Sequence, residues 1–401
     1  MTTHEGLQAA IMSRVSSSAE TKEWLARVSS VTPLIKEYRK QADRERTTHP
    51  IVFEALRELG IPRMWVSREF GGGQVSLKTG SAVIQALARL DASVAWQMGV
   101  QGAIGRLSDY LPEPTARKLF ADHTGLVVGG VNPTGRAEMV PGGYRLRGQW
   151  GFASGSAHAD WLVCAAVVTA NGEPRMTSGG RKTRMLFVPK SDCQMLDTWY
   201  TLGLRGTGSN HYEVDGVFVP EDFTVDGAAI LQPPSDRPSR GYAIGYYDFG
   251  PFTSASTALG VAQDALDSFK ELAFAKTPAA GTSTLAASHT TQEKLARAEM
   301  LVHSARLLLA DAAEHASLYG QDGGDELSAL IRLTTATVAE NTSTAVTITY
   351  TLAGSSSLYA TSRLERCFRD IHSVVKHITL SPSHFEMVGQ YLLGGGLQMR
   401  R

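Results

Sequence analysis

The order of residue patterns along the chain predicts a mainly α fold with a central β domain. Three observations carry this. Helical periodicity dominates up to about residue 125, short β-favouring runs between glycine-rich turns occupy Leu126 to Pro220, and long alanine-rich helical patterns return after Gly250. The expected regions are 1–125, 126–232 and 233–401, since 401 residues exceed what one hydrophobic core usually serves.

From Glu23 to Leu59, "KEWLARVSSVTPLIKEYRKQADRER" sets apolar residues at mixed spacings of three and four before a charged end, as amphipathic helices do. "SLKTGSAVIQALARLDASVAWQMGV" reads as one further long helix buried on more than one face, and Pro112 and Pro114 break the chain before "TARKLFAD". "GYRLRG", "DWLVCAAVV", "TRMLFVP" and "HYEVDGVFVP" then read as strands without intervening helices, which predicts a small antiparallel sheet or barrel. "LQPPSDRPSRGYAIG" reads as the loop leading out of it. The last region expects helices over "TSASTALGVAQDALDSFKELAFAK", "TQEKLARAEMLVHSARLLLADAAEHASLYG" and "ELSALIRLTTATVAENTSTAVTITYTLAG". Thr344 to Thr351 is β-branched enough for a strand, but its place within a long helical pattern favours a buried helix.

With 39 basic and 39 acidic side chains the formal charge is zero, and no long basic run offers a phosphate-backbone footprint, so nucleic acid is not an expected partner. Three scattered cysteines, Cys164, Cys193 and Cys367, form no CxxC pair, which argues against a disulfide framework and a thiolate zinc site; no metal is expected. The N-terminus lacks the basic-then-apolar order of a secretory signal and no apolar stretch reaches about 18 residues, so the expectation is a cytoplasmic protein without a membrane partner.

Three stretches carry chemistry. In "GGVNPTGRAEMVPGGYRLRGQWGFASGSAHADW", Gly129 to Trp161, an aromatic at Phe152 and a hydroxyl at Ser154 would share one face of a strand, or Phe152 is sheet core and Ser154 opens a turn. In "GLRGTGSNHYEVDGVFVP", Gly203 to Pro220, a strand follows the glycines where a dinucleotide fingerprint needs a helix; Arg205 to Ser209 is either a turn close to a ligand or a structural turn. In "RCFRDIHSVVKHITLSP", Arg366 and Asp370 stand four apart and can pair. If the segment stays helical, His372 and His377 project about 140° apart and cannot share one metal ion.

These stretches resemble the acyl-CoA dehydrogenase superfamily over nearly the whole chain, and within it the two-component flavin-dependent monooxygenases. The resemblance implies an N-terminal helical domain, a central β domain and a C-terminal four-helix bundle. It also implies a homotetramer, an interface that the alanine-rich, small and apolar helix faces of the bundle would supply. It implies reduced FMN, with FAD as the alternative, delivered by a separate NAD(P)H-dependent flavin reductase. Dioxygen is the cosubstrate, and an aromatic or polycyclic small molecule is hydroxylated through a flavin C4a-hydroperoxide.

By position, the resemblance assigns Asn132, Phe152, Ser154, Gly155, Arg205 and Lys276 to flavin and Trp96 and Gln101 to the substrate pocket, with core packing as the other reading of Trp96. Ser154 would act near flavin N5. His377 would exchange a substrate proton, an imidazole of ordinary pKa about 6.5 being suited to that near neutral pH. His372 is either a helper or a packing residue that points elsewhere. The chain departs from the dehydrogenases: "KHITLSP" replaces their Tyr-Glu-Gly segment, Asp248 in "YYDFGPF" is a loose candidate base, and Lys276 stands near their flavin-phosphate arginine without its bidentate fork. The competing readings are an acyl-CoA dehydrogenase or oxidase, and a catalytically silent flavin-binding homologue.

Overall fold

The computed structural model describes residues 18–397, apart from 122–124, 235–242, 280 and 321. The N-terminal stretch weighed for a signal, and most of the proline-rich loop, lie outside the described residues. Helices come first. Ala19–Glu45 begins at Ser18, whose hydroxyl accepts from the Thr21 N–H, and it presents Trp24, Val28, Val31 and Ile35 inward at spacings of three and four. The stretch from Ser76 is two helices, Leu77–Ala88 and Ala92–Gly105, where the sequence reading expected one. The Asp91 carboxylate caps the second by accepting from the Ser93 and Val94 N–H groups, at 2.8 and 3.1 Å, so a local capping residue overrides the continuous apolar pattern. Gly80 and Gly102 sit where any Cβ would collide with the fully buried Trp65 ring, which lets the two helices close on it.

Among the described residues, the central region holds ten strands, eight of them in one sheet. Its strands are β1 (Leu126–Val140), β2 (Gly143–Ala153), β3 (Ala159–Ala170), the two-residue pieces β4 (Glu173–Pro174), β5 (Met176–Thr177) and β6 (Gly180–Arg181), β7 (Thr183–Pro189), β8 (Gln194–Leu196), β9 (Asn210–Pro220) and β10 (Thr224–Asp226). The order is β10-β7-β3-β1-β2-β9-β8, with β4 on β3, while β5 and β6 pair apart. The expected all-antiparallel pattern is corrected at one place: β3 lies beside β1 in parallel, because the chain leaves β2 through the Ser156–His158 turn and returns on the far side of β1. The β1–β3 register slips between Gly130 and Gly135, and the β2–β9 register slips between Trp150 and Ala153. Both irregularities interrupt the regular pleat.

The last region supplies the helices Tyr246–Ala275, His289–Tyr319 and Gly324–Ala353, then Arg363–Val374 and Ser383–Leu392. Thr344 to Thr351 is helical, as expected. Arg363–Val374 is clamped to the N-terminal helices by buried charge. Arg366 reaches Asp43 at 3.2 Å, Asp91 at 3.4 Å and Asp370 at 2.7 Å, so the pair expected from the i, i+4 spacing forms within a larger network. Asp370 also accepts from the Leu204 N–H at 2.7 Å, and Ser373 from the Gly203 N–H at 3.1 Å. A Cβ on Gly203 would lie 2.2 Å from the Arg369 carbonyl oxygen, so this approach requires glycine.

Candidate active site

Sheet irregularities, the Gly203–Ser209 loop and the ends of the last helices meet around a cavity of about 850 Å³. The slip in β1 presents Val131, Asn132 and Pro133 to it. The slip in β2 presents Phe152, whose φ of 65° is a left-handed value that a bulky residue rarely adopts. Its ring is 68% exposed and faces Trp199 edge-on at 6.2 Å. The shared-face reading does not hold, and of the alternative only the second half does: Phe152 is not sheet core, but Ser154 opens a tight turn past the strand, its N–H donating to the Phe152 carbonyl at 2.8 Å. Backbone strain of this kind persists where the surroundings enforce it, and here it leaves an aromatic shelf on the cavity wall.

Ser154 belongs to a directed chain of hydroxyls. The Thr207 hydroxyl donates to the Leu204 carbonyl at 2.8 Å, so its oxygen receives the Ser209 proton at 2.6 Å. Ser209 in turn receives the Ser154 proton at 2.7 Å, and Ser154 receives the Trp96 indole N–H at 3.2 Å. Each hydroxyl has one proton, so every link is determined by the last. Trp96, 8% exposed, thus serves packing and cavity lining together.

His377 and His372 both line the cavity. The expectation that they point apart assumed an unbroken helix, but the helix stops at Val374 and His377 caps the following turn, Ile378–Leu380, which re-aims its ring. His377 stands edge-on to Trp96 at 5.2 Å. Its Nδ1 lies 2.7 Å from the Thr379 hydroxyl and accepts the Thr379 N–H at 3.4 Å. The pKa is pushed down to about 4 by desolvation, so the ring is neutral at pH 7 with its proton on Nε2. The ring surface opens onto the cavity, where water softens that shift. His372, packed edge-on to Phe368 at 4.4 Å, is also lowered, by burial first and Lys376 second.

Four expected residues lie elsewhere. Gln101 is 2% exposed and accepts the Val127 N–H at 2.8 Å, joining a helix to β1. Gly155 has a φ of 82°, and its N–H donates to the Thr207 carbonyl at 2.8 Å, as a turn residue. Arg205 donates to the Thr201 carbonyl at 2.9 Å, and Lys276 to the Ala353 carbonyl at 2.7 Å. None of the four lines the cavity; backbone partners elsewhere hold them. The sequence reading missed Arg332 and His384, each 5% exposed and both cavity-lining. Arg332 could have been noticed as a lone charge in the apolar run "ALIRLTTATV". It pairs with Asp248 at 3.1 Å, and Asp248 also accepts from Ser328 at 2.6 Å. Asp248 itself is not a lining residue, and among the described lining residues there is no carboxylate.

The residues present fit a flavin. A planar heteroaromatic ring requires an apolar shelf and a few directed polar groups, which Phe152, Trp199 and the Ser154 hydroxyl supply in a cavity of sufficient size. Comparison with known proteins agrees. Residues 18–110 match the family model of the acyl-CoA dehydrogenase N-terminal domain, and residues 252–382 that of its C-terminal domain. The chain is 28% identical over 360 residues to an indole-3-acetate monooxygenase of Pseudomonas putida, covering 88% of this chain and 89% of that one. It is 29% identical over 413 residues to the oxygenase component of an FADH(2)-dependent resorcinol hydroxylase of Rhizobium sp., covering 96% and 98%. In fold it matches XiaF from Streptomyces sp., solved with FADH2 and glycerol, at a TM-score of 0.88, 23% identity and coverage of 98% and 99%. The 3-HSA hydroxylase of Rhodococcus sp. RHA1 matches at 0.86, 21% identity, 94% and 98%. From the helix–sheet–helix order, the cavity and these relatives together, the chain belongs to the acyl-CoA dehydrogenase superfamily, in its branch of two-component flavin-dependent monooxygenases.

Proposed function

We propose that this protein is the oxygenase component of a two-component monooxygenase that hydroxylates an aromatic small molecule, using reduced flavin supplied by a separate reductase. The carrying observation is the directed hydroxyl chain ending at Ser154 beside a cavity whose described lining holds no carboxylate. Reduced flavin, as FMN or FAD, supplies the electrons that activate dioxygen and deliver one oxygen atom to the substrate. The chain's own residues set the conditions. Phe152 and Trp199 provide the shelf for the ring and Asn132 a polar edge. Because its proton is committed to Ser209, Ser154 offers a lone pair, and an acceptor is the partner that the N–H of a reduced flavin requires.

His377 presents Nε2–H to the cavity and holds a proton at that atom, positioned to donate to an oxygen of the substrate or to pass the proton on. Trp96 and the last helices line the side of the cavity next to His377, and a bound flavin and substrate would displace water from it. The dehydrogenase reading requires a carboxylate to take an α-proton; Asp248 is engaged by Arg332 and Ser328 instead. The test supplies NADH, a flavin reductase, dioxygen and a panel of aromatic compounds, and follows oxygenated product by mass spectrometry. Acyl-CoA-dependent reduction of an electron acceptor, with no oxygenated product from the panel, would overturn the proposal.

A further inference from the structure

Thr379 lines the cavity two residues beyond His377 and meets its ring with two groups, the hydroxyl at 2.7 Å from Nδ1 and the backbone N–H at 3.4 Å. A backbone N–H can only donate, so Nδ1 turns a lone pair toward it and carries no proton. The Thr379 hydroxyl then donates to the same nitrogen, since an oxygen facing that nitrogen would set lone pair against lone pair. The proton of the neutral ring is left on Nε2, which has no hydrogen-bond partner among the described residues. Thr379 is itself held from the far side. The fully buried Thr335, on the helix Gly324–Ala353, donates its hydroxyl to the Thr379 carbonyl at 3.0 Å, with the Arg332 carbonyl at 3.4 Å as its longer alternative. Trp96 stands edge-on to the ring, the two planes 77° apart. The imidazole is therefore fixed on its Nδ1 side by one threonine, and that threonine is tied to the bundle by another.

We infer that Thr379 is a positioning residue for the reaction: its hydroxyl and N–H keep the His377 proton on Nε2 and hold the ring in the aim from which that proton serves the substrate, with Thr335 anchoring the turn. This rests on the oxygenase reading, in which His377 holds a proton at the cavity, and names the group that decides which nitrogen holds it. Without the hydroxyl only the longer N–H contact opposes the other tautomer, whose proton would lie on the Thr379 side of the ring. Thr335 stands 44 residues before Thr379, so the turn is aimed by a contact across the fold and not by its own sequence.

The test reads the tautomer directly. Solid-state nitrogen-15 NMR of the full-length, histidine-labelled protein at neutral pH and without flavin gives the two His377 ring nitrogens, assigned by their absence from His377→Asn. The wild type is expected to show a protonated Nε2 and an unprotonated Nδ1. A proton on Nδ1 overturns the assignment, and that measurement depends on no Thr379 variant. Thr379→Val keeps the shape and removes the hydroxyl. It is expected to admit the other tautomer and to lower oxygenated product per reduced flavin about five- to tenfold, with hydrogen peroxide rising in its place. Product is measured on the first aromatic compound that the wild type oxygenates. Thr379→Ser, which keeps the donor, is expected to restore both readouts. Wild-type tautomer or wild-type product yield in Thr379→Val overturns the role, and a serine variant as defective as the valine one reduces it to packing and overturns it too. A wild type with the stated tautomer that oxygenates no aromatic compound keeps the hold of Thr379 on the ring and loses the oxygenase reading. One that oxygenates with its proton on Nδ1 does the reverse.

Discussion

At the scale of single residues, function depends on where individual protons sit. The hydroxyl chain makes Ser154 an acceptor only because Ser209 takes its proton. Ser209→Ala removes that recipient and frees the Ser154 proton, so the preference for reduced over oxidised flavin is expected to fall about tenfold, a change of about 1.4 kcal/mol. Paired anaerobic and aerobic titrations measure it, and an unchanged ratio would show that the chain does not set the preference. His377→Asn removes the cavity-facing Nε2–H and is expected to lower product formation by roughly 10²–10⁴-fold while hydrogen peroxide rises, with flavin affinity retained. Wild-type product yield from prereduced flavin would remove His377 from the chemistry.

Burial of His384 also predicts a pH dependence of stability. Its folded pKa, about 4, lies below the ordinary 6.5, so between those values the unfolded chain binds more protons than the folded one. Stability from this group is present above about pH 6.5 and is lost as pH falls toward 4. His377 adds in the same direction but less, its ring being open to cavity water. Melting temperature against pH should show a shallower acid limb in His384→Phe; superimposable profiles for the two proteins would contradict this.

At the scale of elements, the Arg363–Val374 helix acts as a latch. Asp370 ties Arg366 with one oxygen and the Leu204 N–H with the other, so the ion-pair network and the cavity-lining loop share one carboxylate. Asp370→Ala is expected to destabilise the protein by about 3–5 kcal/mol, the usual cost of leaving a buried charge unpaired. It should also loosen Gly203–Ser209, seen as faster amide exchange there than elsewhere. The i, i+4 spacing made half of this legible, and Arg366 does pair with Asp370. Its other partners, Asp43 and Asp91, stand hundreds of residues away, and local spacing carries no record of them. The same limit explains His372 and His377: a helix ending at Val374 turns a separation computed for a continuous helix into a shared cavity.

At the scale of the whole molecule, the helix His289–Tyr319 leaves Met300, Leu307 and Leu318 exposed at 62%, 45% and 66%. At about 100° per residue they fall within roughly 20° of one another, a single apolar stripe facing away from the core. We propose that this stripe is an interface between copies of the chain in a homotetramer. Light scattering at micromolar concentration should give four times the monomer mass, and Leu307→Lys with Leu318→Lys should reduce it. A wild type that stays monomeric would refute the assembly.

The order helix, sheet, helix and the helical state of the β-branched stretch near Thr344 were legible in the residues alone, as were the segments of Trp96, Asn132, Phe152, Ser154 and His377, which line one cavity. Those depend on local periodicity, turn chemistry and motif resemblance, all written in neighbouring residues. Tertiary packing set the rest. It turned Phe152 outward at a strained φ, ordered the hydroxyls from Trp96 to Leu204, and set Arg332 and His384 against the cavity. It also assigned Gln101, Gly155, Arg205 and Lys276 to backbone partners instead. The physical reason is that a side chain's chemistry is set by which polar atoms lie within hydrogen-bonding distance and how much water is excluded, and both are properties of residues brought together across the whole chain.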